Sequence, residues 1–383
     1  MIKNINKMKV LQLGKAFAPI KKLGGVEKVM EYFYYGLNES KINCDVLGAN
    51  DSFNAKTDNY CEDGLVYREP LMFHAKSTFF SISLIFKLRK IQNKYDIIHV
   101  HLPDPMSLLA LFITRPKSKI IVHWHSNILR QKYTYLLIKF FETWLLKRCD
   151  LILCTSPSYY SNNKVLEPFK SKLSYLAIGL DIDISSFNKE LAIKINTEYK
   201  SKKKLVYVGR FVYYKGIEYL IKSMSLVKSD CVLFLIGNGD LQNKIAKLVN
   251  ELSLVDKVVF LGELDDISKF TYIKSSDMLV LPSIYKTEAY GIVQVEAMAL
   301  GVPVLSTRIE GSGVDWVNKD GESGFTVAPE SSIEIAKAID KVFLNSDIQI
   351  KISEGAKKRY NTLFTRDKMI SELIIKYVNV LKK

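Results

Sequence analysis

The sequence lacks any apolar run as long as the roughly 18 residues a membrane-spanning helix needs, since Lys, Arg or Glu interrupts every candidate. No spanning helix is therefore expected. The five cysteines, Cys44, Cys61, Cys149, Cys154 and Cys231, are odd in number and show no CxxC spacing, so a reduced, cytoplasmic protein is expected. The basic start, Met1 to Lys9, runs into the strand-like Val10 to Leu13 and not into a long apolar region with a cleavage site; no secretion signal is expected. There is no tandem repeat and no low-complexity tract. No GxGxxG follows the first strand, which argues against a tight NAD site there. HExxH is missing, and no Cys or carboxylate spacing accompanies the histidines, which weighs against a metal. Finally, no recognition-helix or RNP-like motif supports nucleic acid as a partner.

What is present is a chain of 383 residues, long enough for two domains with separate cores. Its formal net charge of +15 points to an anionic partner, such as a phosphorylated substrate or a membrane face, or to a Lys-rich composition with no partner.

Short apolar runs alternate with amphipathic stretches. Strands are expected at Val10 to Leu13, Cys44 to Leu47, Leu65 to Tyr67, Ile97 to Val100, Ile120 to Trp124, Leu151 to Cys154 and Leu173 to Ala177. A second set follows at Leu205 to Val208, Val232 to Ile236, Val258 to Leu261, Met278 to Leu281, Val304 to Ser306 and Phe325 to Val327. That rhythm is α/β, with two doubly wound, Rossmann-like domains facing a central cleft, joined by a polar, Lys-rich segment near Asp183 to Lys203. Ligands of such sheets bind outside the carboxyl ends of the strands.

The loops at those ends hold the candidate chemistry. Gly24 and Gly25 open a helix after the first strand, where backbone amides can approach phosphate. Four of the five histidines, His99, His101, His123 and His125, end two successive strands, and residues two apart share a face. Of these, His125, beside Ser126 and Asn127, is the candidate to reach a ligand. Tyr133 to Arg148 is a basic, aromatic helix; we read it as facing the core, with a membrane interface as the alternative. In the second half, Gly209-Arg210-Phe211 and Lys215-Gly216 place two cations at a strand-helix junction, where they can hold a diphosphate. Gly237-Asn238-Gly239-Asp240 and Gly262-Glu263-Leu264 follow the next two strands.

The densest stretch is Glu288-Ala-Tyr290-Gly291-Ile292-Val293-Gln-Val-Glu296. Gly291 leaves a helix start without a side chain, and a helix is expected from there to Leu300, ending at Gly301. Eight helical residues span about 12 Å, too far for the roughly 5 to 5.5 Å of a retaining hydrolase pair, so the two glutamates have different jobs.

This ordered set resembles the family 4 retaining glycosyltransferases of GT-B fold. The carriers are Gly24-Gly25-Val26-Glu27, Val208-Gly209-Arg210-Phe211 with Lys215-Gly216, Gly237-Asn238-Gly239, the E-x7-E of Glu288 and Glu296, and Met298-Ala-Leu-Gly-Val-Pro303-Val. His123 to Lys132 and Gly311 to Asn318 further resemble bacterial polysaccharide mannosyltransferases. Asp240 stands where relatives often have proline.

The resemblance implies an acceptor domain at residues 1–185, rejoined by a helix at 366–383, and a nucleotide-sugar domain at 186–365. It implies Glu288, His125, Arg210 and Lys215 as catalytic residues. Donor binding falls to Gly24, Gly25, Gly209, Arg210, Lys215, Gly237, Gly239, Leu264, Glu288, Tyr290, Gly291, Ile292, Val293 and Glu296. Arg130 and Lys132 are acceptor candidates. No metal or other cofactor is expected, and Asp181-Ile182-Asp183, which imitates a DxD metal motif, is assigned to the linker. The implied reaction moves a hexose, mannose from GDP-mannose as first choice, onto a lipid-linked oligosaccharide of O-antigen or capsule; an anionic membrane surface is a candidate partner on the basic helix and the net charge alone. Alternatives are a UDP-sugar-dependent transferase and a GT-B epimerase.

Overall fold

The computed structural model describes residues 7–18, 24–75, 78–126, 132–161, 163–183 and 187–383, with backbone alone for 74–75, 78 and 132–137. The chain divides into two compact units, Met1–Ile178 with Arg366–Lys383, and Gly179–Thr365.

The first unit runs β1 (Lys9–Ala16), α1 (Gly25–Glu39), β2 (Asn43–Ala49), β3 (Lys56–Asn59), β4 (Leu65–Glu69), β5 (Phe73–Ala75), β6 (Thr78–Phe80), α2 (Ile82–Ile91), β7 (Ile97–Leu102), α3 (Pro105–Thr114), β8 (Lys119–Trp124), α4 (Lys132–Arg148), β9 (Leu151–Cys154), α5 (Pro157–Ser161) and β10 (Leu173–Tyr175). Its sheet has the order β10-β9-β8-β7-β1-β2-β4-β3. Pairing is parallel throughout except for β3 on β4. β1 lies between β2 and β7, so the strand order reverses there, and such a reversal opens a crevice at the carboxyl ends.

Helices cover the sheet, so β7 and β8 are buried almost end to end and read as apolar runs. The polar exceptions fall on one face. Gln12 pairs in register with His99, and His101 with His123. Phe33 of α1 lies over them, its ring 5.4 to 5.8 Å from His99, His101 and His123. The C-terminal helix, Arg366–Leu381, packs on α1 where Gly36 leaves room for Ile370, and it brings Tyr377 to the same face.

The second unit runs α6 (Lys189–Glu198), β11 (Lys203–Val208), α7 (Ile217–Met224), β12 (Cys231–Ile236), α8 (Gln242–Glu251), β13 (Val258–Gly262), α9 (Asp266–Lys274), β14 (Met278–Leu281), α10 (Ile292–Ala299), β15 (Val304–Thr307), α11 (Val314–Val317), β16 (Gly324–Val327), α12 (Ser332–Phe343) and α13 (Ser346–Leu363). The sheet is wholly parallel, in the order β13-β12-β11-β14-β15-β16. Here the reversal lies at β11, between β12 and β14. Each unit is thus a Rossmann-like α/β domain. Helix starts follow side-chain chemistry: Asp265, Ser331 and Asn345 each accept a first-turn amide of α9, α12 and α13.

Every expected strand is present, with differences at the margins. β10 stops at Tyr175, while β3 and the β5–β6 hairpin were not expected, being too short or too polar for alternation to reveal them. The Lys-rich segment after Asp183 is not a plain linker. Asn188 caps α6, its own amide donates to Thr271 at 3.1 Å, and Ile195 is buried, so this stretch folds onto the second unit. α4 buries Leu145 and Leu146 while Phe140 is 62% exposed. No described helix is long and apolar enough to cross a membrane.

Candidate active site

In the second unit the loops following β11, β12 and β13 are laced together by their backbones. The amide of Gly209 donates to Ile236, that of Phe211 to Asn238 and that of Gly237 to Gly262. Such closeness needs glycine at 237. Its φ is +124°, and a Cβ there would stand 2.1 Å from the carbonyl oxygen of Gly209. Gly239 lies against the backbone of Phe211 in the same way. Leu264 is half-buried just past β13.

The loop after β14 meets the loop after β11. Ile284 donates its amide to the Tyr214 carbonyl at 2.8 Å, which brings Lys215, at the end of the short 3-10 turn Tyr213–Lys215, to Glu288. The Lys215 Nζ to Glu288 Oε2 distance is 2.5 Å, with the side chains only 12% and 10% exposed. The Ser283 hydroxyl donates to the same carboxylate oxygen at 2.8 Å. Ser312 donates to the Glu288 backbone carbonyl and Thr307 to that of Ser283, so hydroxyls hold the loop from beneath. Arg210 is exposed and donates to the Tyr214 hydroxyl at 3.4 Å.

Glu296, on α10, has a different partner. Lys269 of α9 stands 3.1 Å from it and 2.9 Å from Asp266. Burial alone would lower the Lys269 ammonium, but the Glu296 and Asp266 carboxylates outweigh it and hold the group above its ordinary value. Each glutamate therefore has its own lysine. Sequence reasoning missed Lys269, because a charge on another helix, 27 positions before Glu296, leaves no local pattern; Ser283 and Thr307 were likewise invisible.

Gly291 caps α10 in the left-handed region, at φ +70°. A Cβ there would press on Leu281 at 2.5 Å and Gln294 at 3.0 Å. Glycine thus serves the turn and the packing beneath it, in addition to leaving the helix start open to an anion. The anion-friendly feature is the first turn of α10, whose amides, Ile292 and Val293 among them, have no acceptor within the helix. The Tyr290 and Val293 side chains are buried. Asp181 and Asp183 fall at the start of the second unit.

In the first unit, Gly24 precedes α1, but its amide donates to the Glu27 carboxylate at 2.9 Å, with Lys15 4.0 Å from the other oxygen. At Gly25 a Cβ would meet nothing within 4 Å. Lys132 begins α4 with only its backbone described, and Arg130 lies outside the described residues.

The four histidines form a stack. His123 and His125 have ring centroids 4.2 Å apart with planes 10° from parallel, and His101 and His125 are 5.2 Å and 13° apart. Burial pushes all four imidazoles down, His99 and His125 to about 3, so they are neutral. Nitrogens of His101, His123 and His125 lie within 4.8 Å of one another. Both nitrogens of His101 are already engaged, by His125 at 2.9 Å and by Gln12 at 2.7 Å, which leaves it no free lone pair for a metal. His125, 6% exposed, is the least buried of the four.

Two family models match this chain: Glycosyltransferase Family 4 over residues 23–165 and Glycosyl transferases group 1 over residues 188–359. Among similar proteins, O-antigen chain mannosyltransferase C of Escherichia coli is 27% identical, over 98% of this chain and 99% of that protein. D-rhamnosyltransferase WbpZ of Pseudomonas aeruginosa is 29% identical over 79% of this chain and 78% of its own. Among solved structures, a sucrose-phosphate synthase from Thermosynechococcus elongatus superposes with a TM-score of 0.77 at 20% identity, covering 98% of this chain and 99% of that one. Anabaena HepE in complex with UDP gives 0.75 at 18% identity over 97% and 100%. The chain belongs to the glycosyltransferases of GT-B fold, with a Family 4 domain followed by a group 1 domain.

Proposed function

We propose that the protein is a retaining glycosyltransferase that moves a hexose from a nucleoside diphosphate sugar, GDP-mannose as first choice, onto a lipid-linked oligosaccharide of bacterial surface polysaccharide. The observation that carries the reading is the Lys215–Glu288 pair beside the first turn of α10, with Arg210 exposed nearby.

Cleaving the sugar-phosphate bond leaves a nucleoside diphosphate, and cations are needed where that charge develops. Arg210, Lys215 and the α10 amides supply positive charge without a metal. Glu288, deep in the loop, would accept from the sugar hydroxyls and Glu296 from those of the ribose, each held by its own lysine. Gly209, Gly237 and Gly239 let the nucleotide approach the backbone, with Leu264 beside it. Retention would follow from the acceptor hydroxyl attacking on the face the diphosphate leaves. The E. coli and P. aeruginosa relatives, named for mannosyl and D-rhamnosyl transfer, favour a GDP-linked donor; HepE, solved with UDP, keeps a UDP-sugar as the alternative.

A cytoplasmic protein docked on an anionic membrane fits the net charge of +15 and the exposure of Phe86, Ile113 and Phe140 on the neighbouring helices α2, α3 and α4. Incubation with GDP-mannose or UDP-hexoses and lipid-linked acceptors, read by product mass and anomeric configuration, tests the reaction. An inverted anomer would refute retention. Conversion of free donor without an acceptor would identify an epimerase.

A further inference from the structure

A hydrogen-bonded ladder crosses the first unit under α1. His125 Nε2 stands 2.9 Å from His101 Nδ1, and His101 Nε2 stands 2.7 Å from Gln12 Oε1. The Gln12 amide donates to the Tyr377 hydroxyl at 3.2 Å, and that oxygen lies 2.6 Å from His99 Nδ1. Gln12, His99 and Tyr377 are 0% exposed, His101 1% and His125 6%. Water therefore does not compete for these bonds.

A neutral imidazole has one N–H donor and one bare acceptor, so its two bonds fix each other. The Gln12 oxygen can only accept, so His101 carries its proton on Nε2. Its Nδ1 is then bare and needs a donor, which must be His125 Nε2–H. The opposite tautomer of His125 would set two lone pairs against each other at 2.9 Å. At the far end the Tyr377 oxygen, which accepts from Gln12, is also bonded to His99 Nδ1, and His99 Nε2 is buried with no partner among the described residues.

We propose that Gln12 and Tyr377, on the first strand and the last helix, are positioning residues that hold His125 in one tautomer, protonated on Nε2, leaving Nδ1 as an acceptor for a substrate hydroxyl. The use of that acceptor in catalysis rests on the glycosyl-transfer reading; the tautomer itself does not. A histidine named from sequence for its place at a strand end thus acquires a direction, set by residues 113 positions before it and 252 after it.

Long-range proton–nitrogen spectra of the full chain, labelled with nitrogen-15 at histidine and assigned by the signals lost in His125→Gln, test this. In the parent protein His125 should show a protonated Nε2 and a bare Nδ1. In Gln12→Met and in Tyr377→Phe it should show both tautomers. Turnover should then fall roughly twofold if the two are equally populated, with donor affinity unchanged. Should Tyr377→Phe fail to fold, Gln12→Met reads the same effect, and the parent spectrum stands alone. A proton on Nδ1 in the parent would mean the Gln12 carboxamide is turned over and would overturn the proposal, as would a single, unchanged His125 tautomer in the folded variants. The expected tautomer in a chain that transfers no sugar would sink the glycosyl-transfer reading and leave this one standing.

Discussion

Removing Lys215 should destabilise the second unit far more than loss of a surface cation. Lys215 and Glu288 meet at 2.5 Å with about nine-tenths of each side chain covered. Exposed ion pairs contribute about 0.2–1 kcal/mol. Breaking a buried pair from one side costs about 3–5 kcal/mol, because it strands the other charge. Ser283 keeps its bond to the carboxylate at 2.8 Å, so we expect Lys215→Met to fall at the lower end, about 3 kcal/mol. For a unit of this size that is a fall in Tm of about 6–12 °C. The double variant Lys215→Met/Glu288→Gln strands no charge and should recover about 1.5 kcal/mol of that loss, within the coupling range of contacting residues. Urea unfolding of the parent, both single variants and the double variant closes the cycle, with slopes compared to exclude changes in the denatured state. The reasoning is refuted if Lys215→Met costs under about 1 kcal/mol, the surface range, or if the double variant is no more stable than that single one.

Two further outcomes follow from burial and backbone geometry. His99 and His125 have folded-state values near 3 because burial disfavours their charged forms. The unfolded chain, with ordinary values near 6.5, binds protons first, so stability is present above about pH 6.5 and is lost as pH falls toward 3. Each should cost about 2 kcal/mol between pH 7 and pH 5. His123, whose two nitrogens lack partners among the described residues, should tolerate His123→Phe at pH 7 and give a shallower acid slope. Equal stability of the parent at pH 7 and pH 5 in urea titrations would contradict this. Gly237→Ala, with its Cβ 2.1 Å from a carbonyl oxygen, should lose more than about 2 kcal/mol and weaken nucleotide binding measured by calorimetry. Gly25→Ala, with open space around it, should be stable to within about 0.5 kcal/mol or better; similar losses at both positions would show that crowding is not the cause.

The architecture was legible because parallel strands covered on both faces must be apolar along their length, and runs such as Cys231–Ile236 and Met278–Leu281 have no other reading between turn residues. The site was legible where chemistry and chain position coincide. Arg210, Lys215 and Glu288 lie in the loops that follow β11 and β14, neighbouring strands at the reversal, and Glu296 follows on α10. What could not be read were partners supplied by packing. Lys269 finds Glu296 across two helices, and Ser312 supports Glu288 through a backbone carbonyl. Tyr377 reaches the histidines only because the last helix returns to the first unit. Gln12 carried a faint signal, a lone polar residue in Val10-Leu11-Gln12-Leu13, where a buried strand should have none without a partner. Gly291 has a second reason to be glycine that the sequence did not show, since a Cβ there would press on Leu281 and Gln294.

The most direct measurement is the behaviour of Glu288→Gln with a nucleotide-sugar donor, following transfer to an acceptor and binding of the free nucleoside diphosphate side by side. If Glu288 reads the transferred sugar while Arg210, Lys215 and the α10 amides hold the diphosphate, nucleotide affinity should stay within about threefold while transfer falls at least about a hundredfold, equivalent to about 2.7 kcal/mol at the transition state. Undiminished transfer in a folded Glu288→Gln, or equal losses of nucleotide binding and transfer, would contradict that division and with it the placement of the reaction at this loop.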